Sequence, residues 1–376
     1  MLCLGGVYSW SIFSAELIEN HNWSSIQTQL VFGLILSVFP ITMLFAGKLE
    51  KRLKPGILTL MAAITFSLGY IIAGLANGNF WLTLLGLGLF AGIGTGFGYS
   101  VAMSVPVKWF PEKKGLITGI AAAGFGLASV LLSKTTEWLF LAGTDMFKVF
   151  IIVGIVYGLL IMVSAMIVKS PQVSYHEEEV NIKAFLKNRL FYRLFAGIFF
   201  GTFAGLLVIG NLSTIGAGSL IKDHVLILGV SLFAVANFFG RLTWGFLSDH
   251  LGGNITIFLA LLFQSAAIFL MGRVDLTPNS FLIISSMIGF CFGSNFVLFA
   301  KETSHYFGVG NFAVAYPYIF LGYAIAGIFG PLIGGFLYDI FGSYDLGIII
   351  ASLMSLAGAS LFMAGFINDL IHKKSR

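Results

Sequence analysis

The chain has 376 residues, 58% of them hydrophobic and only 10% charged, with a mean hydropathy of +0.95 and a formal net charge of +5. A soluble domain carries about 25% charged residues, so this composition excludes a water-soluble fold and makes lipid the solvent of an all-α integral membrane protein. Six scattered histidines with no pair at ligand spacing, two cysteines (Cys3 and Cys291) inside apolar stretches, and no P-loop or nucleophile elbow argue against a metal site, a disulfide framework and an enzyme, so neither metal nor cofactor is expected.

Apolar windows of about 20 residues place spans near 1–18, 28–47, 56–76, 79–104, 115–136 and 146–168, and again near 190–215, 225–247, 254–272, 279–303, 312–337 and 346–368. The first starts at Met1 with no basic segment before it. Tyr8, Trp10 and Glu16 interrupt its apolar run, so a membrane helix with short first turns is expected in preference to a signal peptide. A shortened N-terminus and a misplaced start codon are both consistent with that beginning. Twelve spans fall into two six-helix bundles, 1–168 and 190–376, joined by a polar cytoplasmic linker over 169–189 with room for a short surface helix. The linker's acidic run, Glu177-Glu178-Glu179, reads as a solvated face.

Sixteen of the 21 lysines and arginines fall in the loops and tail of one side, from Lys48, Lys51, Arg52 and Lys54 through Lys108, Lys113 and Lys114 to Lys301 and Arg376. Only Lys134, Lys148, Lys222 and Arg273 fall on the other. The positive-inside bias predicts a multi-pass cell-membrane protein with both termini cytoplasmic, and it accounts for the net charge without a nucleic-acid partner. Lipid is the expected surrounding, and the expected assembly is a monomer.

The two halves echo each other. Gly47-Lys-Leu-Glu-Lys-Arg-Leu-Lys54 follows the second span and Gly245-Phe-Leu-Ser-Asp-His-Leu-Gly252 follows the eighth. Duplicated helix bundles are a transporter architecture with a solute site near the bilayer midplane. Gly92, Gly94, Gly96 and Gly98 recur every second residue in the fourth span, and Gly119, Gly124 and Gly126 follow in the fifth. Small residues let helices approach closely in lipid, so close packing is expected there.

In the eighth span stands Arg241, eight residues and about 12 Å from Asp249 at the helix end. A guanidinium cannot lose its proton, and at a helix centre it costs roughly 3 kcal/mol on insertion scales. Such a charge marks a pathway for an anionic solute; a snorkelling arginine is the plainer alternative.

The most specific motif is Gly92-Ile-Gly-Thr-Gly-Phe-Gly-Tyr-Ser100, followed by Val107-Lys-Trp-Phe-Pro-Glu-Lys-Lys-Gly-Leu116 and Ala123-Gly-Phe-Gly126. With Gly205-Leu-Leu-Val-Ile-Gly-Asn211, Gly240-Arg-Leu-Thr-Trp-Gly-Phe-Leu-Ser-Asp249 and Ile328-Phe-Gly330, it resembles the oxalate/formate antiporter family of the major facilitator superfamily, which is similar in turn to the monocarboxylate transporters. The resemblance runs over nearly the whole chain. It implies the two-bundle facilitator fold and transport of a small carboxylate by alternating access. Residue by residue it implies that Arg241 meets the substrate carboxylate, and that Tyr8, Tyr99, Phe292 and Phe296 line the pocket.

Three departures from the family pattern shape the expectation. Oxalate-type members carry a lysine before the Ala324-Ile-Ala-Gly-Ile-Phe-Gly330 stretch, and here Tyr323 stands there. A dianion facing Arg241 alone would keep one uncompensated charge, so a monocarboxylate is expected. Proton-coupled relatives carry an aspartate four residues before the arginine; Asn237 cannot titrate, which favours exchange or facilitated movement. In the first-half loop Lys51 replaces the usual acid and Glu50 lies one place earlier, which alters gating there. Asp249 and the pair Lys301 and Glu302 are the other gating or coupling candidates, the pair reading first as solvated and cytoplasmic and second as a proton site. A proton symporter, an oxalate-type exchanger, a cation exporter and a non-transporting receptor are the rival readings.

Overall fold

The computed structural model describes residues 1–171, 181–219 and 221–373, and among them helices are the only regular elements. A 3₁₀ turn, Gly5–Ser9, leads into α1 (Trp10–His21), which Asn22 ends in a left-handed conformation. The sequence predicts a full span here; α1 has 12 residues, about 18 Å of helix against roughly 30 Å of hydrocarbon. Eleven other helices among the described residues are long and apolar enough to cross a membrane.

Helix starts follow local chemistry. Ser24 and Gln27 form a capping box that opens α2 (Ser25–Leu49), and Pro55 takes the first position of α3 (Pro55–Leu75). Asn79 caps α4 (Phe80–Thr83), which continues through a π-helical stretch, Leu84–Ala91, into α5 (Gly92–Trp109). After a 3₁₀ turn at Pro111–Lys113 come α6 (Lys114–Leu141) and α7 (Met146–Ile167), the latter capped by Asp145. Among its described residues the linker contributes α8 (Ile182–Phe185), capped by Asn181; its run Glu177-Glu178-Glu179 lies outside the described residues. Then follow α9 (Arg189–Gly210), α10 (Leu212–Ala217), α11 (Asp223–Leu251), α12 (Gly253–Met271), α13 (Pro278–Phe307), α14 (Phe312–Phe341) and α15 (Asp345–Lys373).

These helices form two compact units. The first comprises Met1–Trp109, Gly124–Glu177 and Val309–Pro317; the second comprises Phe110–Ala123, Glu178–Gly308 and Tyr318–Arg376. Each unit therefore includes a short stretch from the other half of the sequence, 309–317 in one case and 110–123 in the other. Exposed Leu, Ile and Phe side chains on the helices, such as Leu159 and Phe336, are the lipid-facing surface that the composition demands.

In the first unit the alternating glycines of α5 serve two neighbours at once, because a step of two residues turns a helix by about 200°. A Cβ at Gly94 would lie 2.5 Å from the Phe66 nitrogen of α3, and one at Gly96 would lie 2.5 Å from the Phe39 carbonyl of α2. Gly33 in α2 has nothing within 4 Å of such an atom. Gly96→Val should therefore destabilise the protein by about 1–3 kcal/mol through overpacking, while Gly33→Ala should leave stability within about 1 kcal/mol of wild type. Thermal unfolding in detergent by intrinsic fluorescence measures both; equal midpoints for the two variants would show that α5 does not pack through this glycine.

Candidate functional site

Arg241 sits in the second unit, ten residues before the end of α11, and is 2% exposed. Glycines on both helices make that burial possible. Gly240 lies against the Phe290 backbone, and a Cβ at Gly293 would come 2.5 Å from the Asn237 carbonyl and 3.0 Å from the Arg241 nitrogen. The backbones of α11 and α13 therefore meet closely, and the Arg241 side chain starts across the bare face of Gly293, where a Cβ would come 3.2 Å from its Cγ.

Asn237, Ala122 and Phe296 each contact the guanidinium. Its Nε donates to Asn237 Oδ1 at 2.7 Å, one helical turn earlier, and Nη1 donates to the Ala122 carbonyl of α6. Its Cζ lies over the Phe296 ring, 4.3 Å from the centroid, a cation–π contact that gains strength where water is excluded. Phe296 in turn meets Phe292 edge-on at 5.3 Å and Tyr323 edge-on at 5.3 Å, and Tyr323 stacks on Phe320 at 4.9 Å. Asn237, Phe292, Phe296 and Tyr323 are thus gathered with Arg241 within a single unit. Snorkelling does not describe this arginine, since it points into packed protein.

Tyr99 belongs to the first unit. It is 1% exposed and packs between Phe39 at 5.4 Å and Phe125 at 5.1 Å. The side chain of Tyr8 lies outside the described residues.

The gating candidates occupy the end of α11 and the neighbouring helix ends of the second unit. Asp249 accepts hydrogen bonds from the backbone N–H groups of Gly115 and Leu116, each at 2.8 Å. These are unpaired donors of the first turn of α6, where a carboxylate also meets the positive end of the helix dipole. Gly245 and Gly115 pack backbone to backbone and hold the two segments in register. Lys114 donates to the Ser304 carbonyl at 3.2 Å.

Lys301 and Glu302 correct an expectation. A solvated pair is the first reading of adjacent opposite charges near a span end, yet the Glu302 side chain is 2% exposed and that of Lys301 11%. Lys301 Nζ donates to Glu302 Oε1 at 3.0 Å and to the Ser248 carbonyl at 3.2 Å. The reason is steric: the Glu302 carboxylate occupies the space that a side chain at Gly253 would fill.

Two polar clusters escape the sequence reading. In the first unit Glu50, 2% exposed in its side chain, binds Lys108 at 2.6 Å and accepts from Ser104 with both oxygens at 2.8 Å. The displaced acid beside Lys51 was the available signal, but its partner lies 58 residues away. In the second unit Gln264 donates to the Gly201 carbonyl at 2.7 Å and Asn295 donates to Gln264 at 3.2 Å, both side chains fully buried. Two amides on separate spans carry no spacing signal.

Comparison with known proteins places this geometry in a family. The chain matches the Major Facilitator Superfamily over residues 1–316 and again over 221–374. It is 28% identical to the MFS-type transporter YhjX of Escherichia coli, over 86% of this chain and 82% of that one. It is 26% identical to the oxalate:formate antiporter of Oxalobacter formigenes, over 96% and 88% of the two chains, and 20% identical to monocarboxylate transporter 13 of Bos taurus, over 96% and 85%. The crystal structure of the E. coli fucose:proton symporter FucP superposes with a TM-score of 0.76 at 14% identity, covering 96% of this chain and 95% of that one, which establishes the shared fold. The chain belongs to the Major Facilitator Superfamily and is a multi-pass membrane transporter.

Proposed function

We propose that this transporter carries a small carboxylate monoanion by alternating access, as an exchanger or a facilitated carrier, between two repeats spanning 1–168 and 190–376 whose termini are both cytoplasmic. The observation that carries the reading is Arg241: a permanent cation, 2% exposed, in mid-span, with its Cζ over the Phe296 ring and its Nε held by Asn237. A carboxylate is the natural partner of a guanidinium, and the pair strengthens where aromatic walls exclude water. The names of two relatives, an oxalate:formate antiporter and a monocarboxylate transporter, agree with a small organic anion.

Charge count selects the monoanion. Tyr323 is fully buried beside Phe296 and contributes no charge, and Lys301 is committed to Glu302 and the Ser248 carbonyl. One guanidinium neutralises one carboxylate; a second would be left charged in a site screened from water. Asp249 serves as a latch in this reading. Its two hydrogen bonds to the start of α6 hold one conformation and break as that face opens.

Arg241→Gln should lower carboxylate counterflow in proteoliposomes by about 100-fold, the loss expected when one partner of a buried charge pair is truncated. Arg241→Lys should also be poor, because an ammonium lacks the bidentate fork. A glutamine variant that carries carboxylate at the native rate sinks the assignment.

Competition settles substrate charge. Formate, lactate or pyruvate should displace labelled monocarboxylate better than oxalate does. Oxalate binding tenfold tighter, about 1.4 kcal/mol, would require a second cation at the site.

Coupling gives a signed test. With Asn237 present, uptake at equal pH should depend on internal carboxylate and respond weakly to a pH gradient. In Asn237→Asp the new carboxylate competes with substrate for Arg241. Substrate binding then displaces it from Arg241, so the loaded state takes up a proton there and uptake should become acid-stimulated. Wild-type uptake driven only by a pH gradient, and abolished by Glu302→Gln, would instead assign proton coupling to the buried Glu302.

A further inference from the structure

We propose that Arg193 anchors a binding site for a phosphodiester group, that of an anionic phospholipid headgroup, at one membrane face of the second unit. Arg193 stands four residues into α9, Asn254 is the second residue of α12, and Tyr306 is the last but one of α13. Three helix ends therefore meet at one depth. That depth is the interface: Tyr192 and Tyr306 are 58% and 39% exposed there, as aromatic side chains of a headgroup belt are.

Arg193 is fixed as a cation without an acid. Its Nη2 donates to Asn254 Oδ1 at 3.2 Å and to the Tyr306 hydroxyl at 3.5 Å, and its guanidinium lies over the Phe362 ring at 5.1 Å. These partners are neutral, and among the described residues no ion pair involves Arg193. Nε is buried, whereas Nη1 is neither buried nor hydrogen-bonded among the described residues and is free to donate outward.

More positive charge is pinned beside it. Phe185 of α8 packs on Phe191 at 5.0 Å and on Phe307 at 4.8 Å, which fixes the short helix against the ends of α9 and α13. The same segment carries Lys183, Lys187 and Arg189, all exposed. A preorganised guanidinium recognises phosphate through a planar fork, and the surrounding lysines add attraction to an anionic surface. The lipid's acyl chains would lie along the apolar flank of α9, which a water-soluble phosphate cannot exploit.

The test uses the full-length protein, incubated with phosphatidylglycerol or phosphatidylcholine and then read by native mass spectrometry for retained lipid. Wild type should retain phosphatidylglycerol over phosphatidylcholine by at least about fivefold, the contribution of roughly one basic residue at a membrane surface. Arg193→Gln should remove that preference, and Arg193→Lys should keep only part of it. Equal retention of the two lipids by wild type, or an undiminished preference in Arg193→Gln, overturns the proposal. So does displacement of the lipid by excess inorganic phosphate, which would make the site one for a soluble anion. Should Arg193→Gln fail to fold, the wild-type comparison and Arg193→Lys decide the matter. The readout is independent of carboxylate transport.

Discussion

A single cation kept charged and nearly dry inside a lipid-solvated unit is the constraint around which the second unit is built. Arg241 cannot neutralise itself by losing a proton, so neighbouring groups must do the work that water would otherwise do. Asn237, the Ala122 carbonyl and the Phe296 ring share it, each with a partial charge or quadrupole. Such partners orient a guanidinium without cancelling its charge.

That burial depends on how helices associate in lipid. No hydrophobic force drives one apolar helix onto another there, so close backbone approach has to supply the contact. Gly240, Gly289 and Gly293 bring α11 and α13 together around the arginine, as Gly94 and Gly96 bring α5 against its own neighbours. The glycine-rich composition and the buried charge thus belong to one design: bare glycine faces let the backbones close up and give the long side chain a surface to cross.

The echoed loops after the second and eighth spans show how one sequence pattern can reach two physical solutions. Asp249 ends on the backbone donors of a helix start, a charge meeting a dipole. At the corresponding place in the first half a lysine stands, and the neighbouring Glu50 turns inward to Lys108 and Ser104. One contact joins a side chain to a backbone and depends on helix position. The other joins side chains, an ion pair with a hydroxyl beside it.

Much of this was legible in the chain itself. Lipid as solvent follows from 58% hydrophobic and 10% charged residues, because no soluble surface could be built from them. Arg241 announced itself as an ion in an apolar run, and Asn237 as its neighbour at a spacing of four, since both signals depend only on helix periodicity. The first span illustrates the limit: hydropathy counts apolar residues, but a 3₁₀ turn and a left-handed Asn22 shorten α1 to 12 residues. Burial of the Lys301 and Glu302 pair, the turn of Glu50 toward Lys108 and the Gln264–Asn295 link were decided by tertiary structure alone. Each depends on a partner or a vacancy contributed by a distant helix, such as the missing side chain of Gly253, and no local pattern along one helix encodes what stands opposite it.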